Sequence, residues 1–141
     1  MANPMSVCLW FDGQAKDAAE FYCSVFKDSK ITSNNPLVTT FEANGMKFMN
    51  LNGGPNFKFN EAVSIVVNCD TQDEIDYYWE KLTSDGGKES MCGWLKDKYG
   101  LSWQIVPAIL GKLMADPARM QCVMQQVMQM KKLDIARMEN A

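Results

Sequence analysis

With 141 residues and a net charge of −3, the chain has the length of one ordinary domain that buries a real core, and it has no basic block to neutralise a row of phosphates, so nucleic acid is not an expected partner. Its apolar runs are too short to cross a membrane, and residues 1–5 show no basic segment leading into an apolar one, so no secretory signal is visible. Five scattered cysteines (Cys8, Cys23, Cys69, Cys92, Cys122), without a Cys-x-x-Cys pair, suit a reducing cytoplasm with mostly buried thiols.

In chain order, residues 5–11 are β-branched, aromatic and apolar on both faces, as in a buried strand. Asp12-Gly13 breaks it. From Gln14 to Phe26, the residues Ala15, Ala18, Ala19, Tyr22, Val25 and Phe26 form one helical stripe. Lys27 to Pro36 is polar, with room for a short edge strand near Ile31. Leu37–Glu42 and Lys47–Asn52 read as a hairpin about Asn44-Gly45, a strong turn dipeptide. Gly53-Gly54-Pro55-Asn56 marks a linker.

The second half repeats that order. Ala62–Asn68 is a strand, Thr71 with Glu74 forms a capping box, and Ile75, Tyr78, Trp79 and Leu82 are the stripe of the helix that follows. Asp85-Gly86-Gly87 stops it. Two strands come next, Lys88–Lys96 and Leu101–Val106, joined by a turn from Asp97 to Gly100. Setting Asp12 against Asp70 pairs Val7 with Ile65, Leu9 with Val67 and Phe21 with Trp79. Setting Gly45 against Gly100 pairs Phe48 with Trp103 and Met49 with Gln104. The chain is therefore expected to hold two copies of one unit. Beyond Pro107 comes a short helix over Ala108–Met114. Asp116-Pro117 then starts a longer helix whose Met120, Val123, Met124, Val127 and Met130 are spaced to pack against the chain's own body, or against a partner.

Two such units resemble the vicinal-oxygen-chelate superfamily of glyoxalase I, bleomycin-resistance proteins and extradiol dioxygenases, and most closely its PhnB-like branch. The likeness rests on Cys8-Leu9-Trp10-Phe11-Asp12-Gly13, Ala19-Glu20-Phe21-Tyr22, Leu51-Asn52-Gly53-Gly54-Pro55, residues 57–62 and 76–82, the hairpin from Cys92 to Pro107, and residues 130–135. The segment between Ser29 and Leu37 is shorter than the branch's usual loop. The resemblance implies an α+β fold of two βαβββ units (1–56 and 57–107) curled into a half-open barrel, with C-terminal helices over 108–141, all in one domain.

In metal-dependent members of that superfamily, His and Glu ligands come from the first and last strands of each unit. Those positions align here with Met5, Met49, Val63 and Gln104, and the chain has no histidine at all. No metal or other cofactor is therefore expected. Gln104 keeps an amide where a metal-binding Glu would stand. It either bonds a neutral ligand or is a core amide satisfied by backbone. The branch is often labelled 3-demethylubiquinone-9 3-methyltransferase, but no glycine-rich turn opens a helix here, so methyl transfer is not expected.

Three functions follow as candidates. The first is metal-free binding of a small organic molecule in an apolar cleft. Inward alternates of the first and last strands (Met5, Val7, Leu9, Met49, Ser102 and Gln104) would line it, leaving Cys8 and Trp10 under the helices. The second is a lyase, isomerase or dioxygenase of the superfamily, and the third an interaction module working through the Met-rich helix. A homodimer is expected, since superfamily members with two units per chain commonly pair.

Overall fold

The computed structural model describes residues 2–141. The chain divides between Phe59 and Asn60 into two compact units, each running strand, helix, strand, strand, strand.

The first unit holds β1 (Val7–Phe11), α1 (Ala15–Val25), β2 (Ser29–Asn34), β3 (Val38–Ala43) and β4 (Met46–Asn52), with sheet order β1-β4-β3-β2. β1 runs parallel to β4 and the other pairs are antiparallel. Asn44 and Gly45 take φ of 49° and 86°, the left-handed pair that matches the twist of a tight hairpin. The predicted stripe of α1 is buried, and its alanines bring the helix close to the sheet. Tyr22 stacks on Phe41 at 5.8 Å and Phe41 on Phe48 at 4.8 Å, so the face bearing Phe41 and Phe48 lies under α1. Gln14 does not cap this helix. Its first N–H, at Ala15, is taken at 2.9 Å by Oδ1 of Asn52, and Nδ2 of Asn50 donates to the Ala15 carbonyl at 3.1 Å.

The second unit holds β5 (Ser64–Cys69), α2 (Gln72–Thr83), β6 (Lys88–Glu89), β7 (Trp94–Lys96) and β8 (Ser102–Pro107), in sheet order β5-β8-β7-β6. Thr71 and Glu74 form the predicted capping box. Ile75, Trp79 and Leu82 are buried, and the Trp79 indole donates to Glu89 at 2.7 Å. Glu89 is the register partner of Leu95, and Leu95 of Trp103, so that face lies under α2. The two registers agree. Val7 faces Phe48 in the first sheet as Ile65 faces Trp103 in the second, the pairing the sequence repeat predicts.

The single strand expected over Lys88–Lys96 is two short ones. Cys92 and Gly93 adopt φ of 62° and 83°, and their N–H groups leave the sheet for the carbonyls of Met130 (2.7 Å) and Lys131 (2.8 Å). A Cβ on Gly93 would come within 2.9 Å of Leu133, so the bulge fits only around glycine. After β8 come α3 (Leu110–Leu113), α4 (Pro117–Val127) and α5 (Ile135–Glu139). They share a small core of Leu113, Val123, Val127, Met130, Leu133 and Met138. Much of the predicted methionine stripe is thus turned inward on its own unit, although Met120 stays exposed. The expectation of mostly buried thiols fails. Only Cys69 is buried, Cys23 and Cys92 are half-buried, and Cys8 and Cys122 are exposed because they fall on strand and helix faces that the cores do not use. Among the described residues no helix is long and apolar enough to cross a membrane.

Candidate functional site

Each sheet has one face under its helix and one turned away from it. In the first unit, β-alternation sends Cys8, Trp10, Thr40, Met49 and Leu51 to the face away from α1. Trp10 is fixed there on three sides. Its indole donates to the Gly54 carbonyl at 2.8 Å, and the ring of Phe57 meets it edge-on at 4.9 Å. The backbone of Gly53 lies so close under the ring that a Cβ there would be 2.3 Å away.

In the second unit, the face away from α2 carries Ser64, Ser102 and Lys96 in one register row, and Val66, Gln104 and Trp94 in the next. The Gln104 amide donates to the Ser64 hydroxyl at 2.9 Å. The Ser102 hydroxyl is buried and has no hydrogen-bond partner among the described residues. Lys96 is ion-paired with Glu61, and its ammonium holds the Glu61 carboxyl below the usual carboxylate range.

The predicted lining residues do not share one kind of face. Met49, Ser102 and Gln104 stand on the faces turned from the helices. Val7 and Leu9 are on the α1 side of the first sheet, and Leu9 is a core residue at 4% exposure. Met5 precedes β1, is 89% exposed, and borders with Val7, Met46 and Lys47 an open groove of about 580 Å³. The facing of the first strand is therefore corrected by one residue: Cys8 and Trp10 occupy the face expected for Val7 and Leu9. The physical reason is Phe11, which shares its face with Leu9 and is buried against Phe59 at 5.5 Å. A strand apolar on both sides carries no phase of its own, so only this packing sets it. The signal that sequence reasoning passed over was the linker Gly53, which leaves room for an indole.

Two of the four positions aligned with a metal site fall outside the sheets. Met5 and Val63 lie outside the strands and are 89% and 63% exposed. By register, the paired positions are Cys8 with Met49 and Val66 with Gln104. A thiol, a thioether, a valine and a hydrogen-bonded amide do not fit zinc, nickel or non-haem iron, which draw on imidazole, carboxylate and thiolate sets. Among the described residues, no three His, Cys, Asp or Glu side chains are grouped to hold a metal ion. The glycines give no nucleotide cradle either. Gly53-Gly54 follows β4 without opening a helix, and Gly86-Gly87 ends one.

The family model described as 3-demethylubiquinone-9 3-methyltransferase matches residues 3–106, which takes in both sheets and stops before the C-terminal helices. Among solved structures, a PhnB protein of Bacillus cereus, provisionally named a 3-demethylubiquinone-9 3-methyltransferase, is 35% identical. The match covers 75% of this chain and 100% of that one, with a TM-score of 0.67. A glyoxalase-related enzyme of Fulvimarina pelagi is 14% identical over 73% of this chain and 87% of its own, with a TM-score of 0.53. A glyoxalase/bleomycin resistance protein of Albidiferax ferrireducens is 10% identical over 71% and 93%, with a TM-score of 0.55. The last two share the fold alone: the α+β arrangement of two βαβββ units is that of the glyoxalase/bleomycin resistance proteins. No curated protein matches the chain.

Proposed function

We propose a function from one premise: the chain belongs to the 3-demethylubiquinone-9 3-methyltransferase family, in its PhnB-like branch. On that premise it binds a small organic molecule, without a metal, against a sheet face turned away from its helix. The observation that carries this reading is Trp10. An indole clamped by a hydrogen bond, an edge-on phenyl ring and a bare glycine backbone is a preformed apolar platform, and ordering it in advance lowers the cost of binding. Met49 and Leu51 extend the same surface.

The superfamily's metal-dependent lyase, isomerase and dioxygenase chemistry has less support, because Cys8, Met49, Val66 and Gln104 make no ligand set. Methyl transfer lacks a cofactor loop. We also place the chain in a homodimer and in a reducing, cytoplasmic setting. Met120 and Met128 on and beside α4, 44% and 65% exposed, offer apolar surface to a partner, and all five cysteines are free thiols. A light-scattering mass equal to one chain of 15.9 kDa would remove the dimer.

The test of binding is a titration of isotope-labelled protein with benzyl alcohol, followed by NMR. Saturable shifts of the Trp10 indole N–H and of the Met49 and Leu51 amides in the wild type, with the Met49 and Leu51 shifts lost in Trp10→Ala, support the reading. A Trp10 signal that does not move, with no saturable shift anywhere on either face, overturns it.

A further inference from the structure

We infer that Ser64, Ser102 and Gln104 form a hydrogen-bonding subsite for the hydroxyl group of an uncharged aryl or alkyl alcohol, an inference that rests on the small-molecule role above and names its ligand class. Ser64 and Ser102 are register partners on neighbouring parallel strands, so their side chains stand side by side on the face away from α2. Gln104 lies two residues along on that face and reaches back to Ser64 at 2.9 Å. That bond occupies one N–H of the amide and fixes its rotation. The second N–H and the carbonyl oxygen are left for a guest.

Ser102 is the second, independent observation. Its side chain is 1% exposed and its hydroxyl finds no partner among the described residues. A buried hydroxyl without a partner is costly and uncommon, and a group from outside the chain resolves it. A guest hydroxyl satisfies both sides at once. Its oxygen accepts from the Ser102 O–H while its own proton goes to the Gln104 carbonyl.

Charge and shape narrow the guest. Lys96, the charged neighbour in the Ser102 row, is spent on Glu61, so neither a carboxylate nor an ammonium ligand gains a free counter-charge beside these hydroxyls. Val66, Trp94 and Val106 stand around the polar row on the same face, which suits an apolar or aromatic body.

The probes are benzyl alcohol, toluene and benzoate. Each is titrated into the full-length labelled protein and read at the Gln104 side-chain amide and the Ser102–Val106 backbone amides. Benzyl alcohol should bind about five-fold or more tightly than toluene or benzoate, the factor worth one net hydrogen bond. Ser102→Ala should bring benzyl alcohol to the level of toluene without lowering the melting temperature, because the hydroxyl it deletes is unpaired in the free protein. Gln104→Met, which keeps the side-chain length, should lose the same selectivity. Equal affinities for benzyl alcohol and toluene in the wild type overturn the subsite and leave the binding role standing. So does a Ser102→Ala variant that melts lower with its selectivity intact, which would assign the hydroxyl to a structural water. If none of the three probes shifts either sheet face, the binding role itself falls and the subsite with it.

Discussion

The indole N–H of Trp103 donates to Oδ2 of Asp97 across 2.9 Å, and both residues are buried. The other carboxylate oxygen takes the backbone N–H groups of Tyr99 and Leu101 at 2.9 and 3.1 Å, so one side chain organises the whole turn between β7 and β8. Asp97→Asn keeps the shape but sets an amide N–H₂ against the donors on one side. It should cost about 1–3 kcal/mol, the usual cost of an unsatisfied buried donor. Urea denaturation measures this, and a loss under half a kilocalorie would mean that the turn stands without the carboxylate.

Adjacent residues of β8 should behave in opposite ways. Trp103→Ala empties the core under α2 and should cost about 3–5 kcal/mol. Gln104→Ala removes a half-buried amide from the other face and should leave stability within about 0.5 kcal/mol of wild type. Thermal melts of the two variants check the facing of the strand. It would be reversed if Gln104→Ala were the more damaged.

Gln72 staples the C-terminal segment to α2. Its amide donates to the Leu133 carbonyl at 3.0 Å and its oxygen accepts from the Ile135 N–H at 2.8 Å, beside an Asp76–Lys132 ion pair at 2.8 Å. Gln72→Ala should loosen α5 by about 1–2 kcal/mol, two modest hydrogen bonds. Faster hydrogen exchange at the Ile135 amide, with the β5 amides unchanged, is the expected signature.

Cys69 gives an alkaline limb to stability. Burial, and then the negative charges of Glu74 and Asp70, push its thiol from an ordinary 9.0 up to about 12. The folded protein therefore keeps a proton that the unfolded chain releases. The contribution is complete below about pH 9 and is lost as pH rises toward 12. Cys69→Ala should flatten the fall in stability over that window. At pH 8 iodoacetamide should label exposed Cys8 and Cys122 while sparing Cys69. Prompt labelling of Cys69 in the native protein would refute its burial.

Elemental analysis of dialysed protein should find no stoichiometric zinc, nickel or iron, given Cys8, Met49, Val66 and Gln104 at the paired strand positions. One bound ion per chain would put the superfamily's enzyme chemistry ahead of metal-free binding.

The repeat, both helices and the main hairpin were legible in the sequence because each rests on local signals: the Thr71–Glu74 box, the Asn44-Gly45 turn and stripes at helical spacing. The phase of β1 was not. Its residues are apolar on both sides, and Phe59, 48 positions on from Phe11, decides which side is core. The break in the strand after Glu89 depended on the carbonyls of Met130 and Lys131, which no short window contains. α5 was missed although Asp134 caps it at the Arg137 N–H, a start signal the sequence does carry. For the site, the amide at Gln104 and its neighbour Ser102 were readable, whereas the place of Trp10 hung on its close approach to Gly53.

The caps of the two helices also set an order of events in folding. α2 carries its start signal within its own first turn, so nucleation there needs nothing from the rest of the chain. α1 borrows its start from Asn52, 37 residues downstream, and that side chain is in place only once β4 has paired with β1. The first helix must wait on a long loop closure that the second does not face. During synthesis, residues 15–25 clear the ribosome before Asn52 does, since Asn52 lies 37 residues behind Ala15. The N-terminal half therefore emerges with its helix unanchored, and the C-terminal half reaches its own nucleus as soon as residues 71–83 are free.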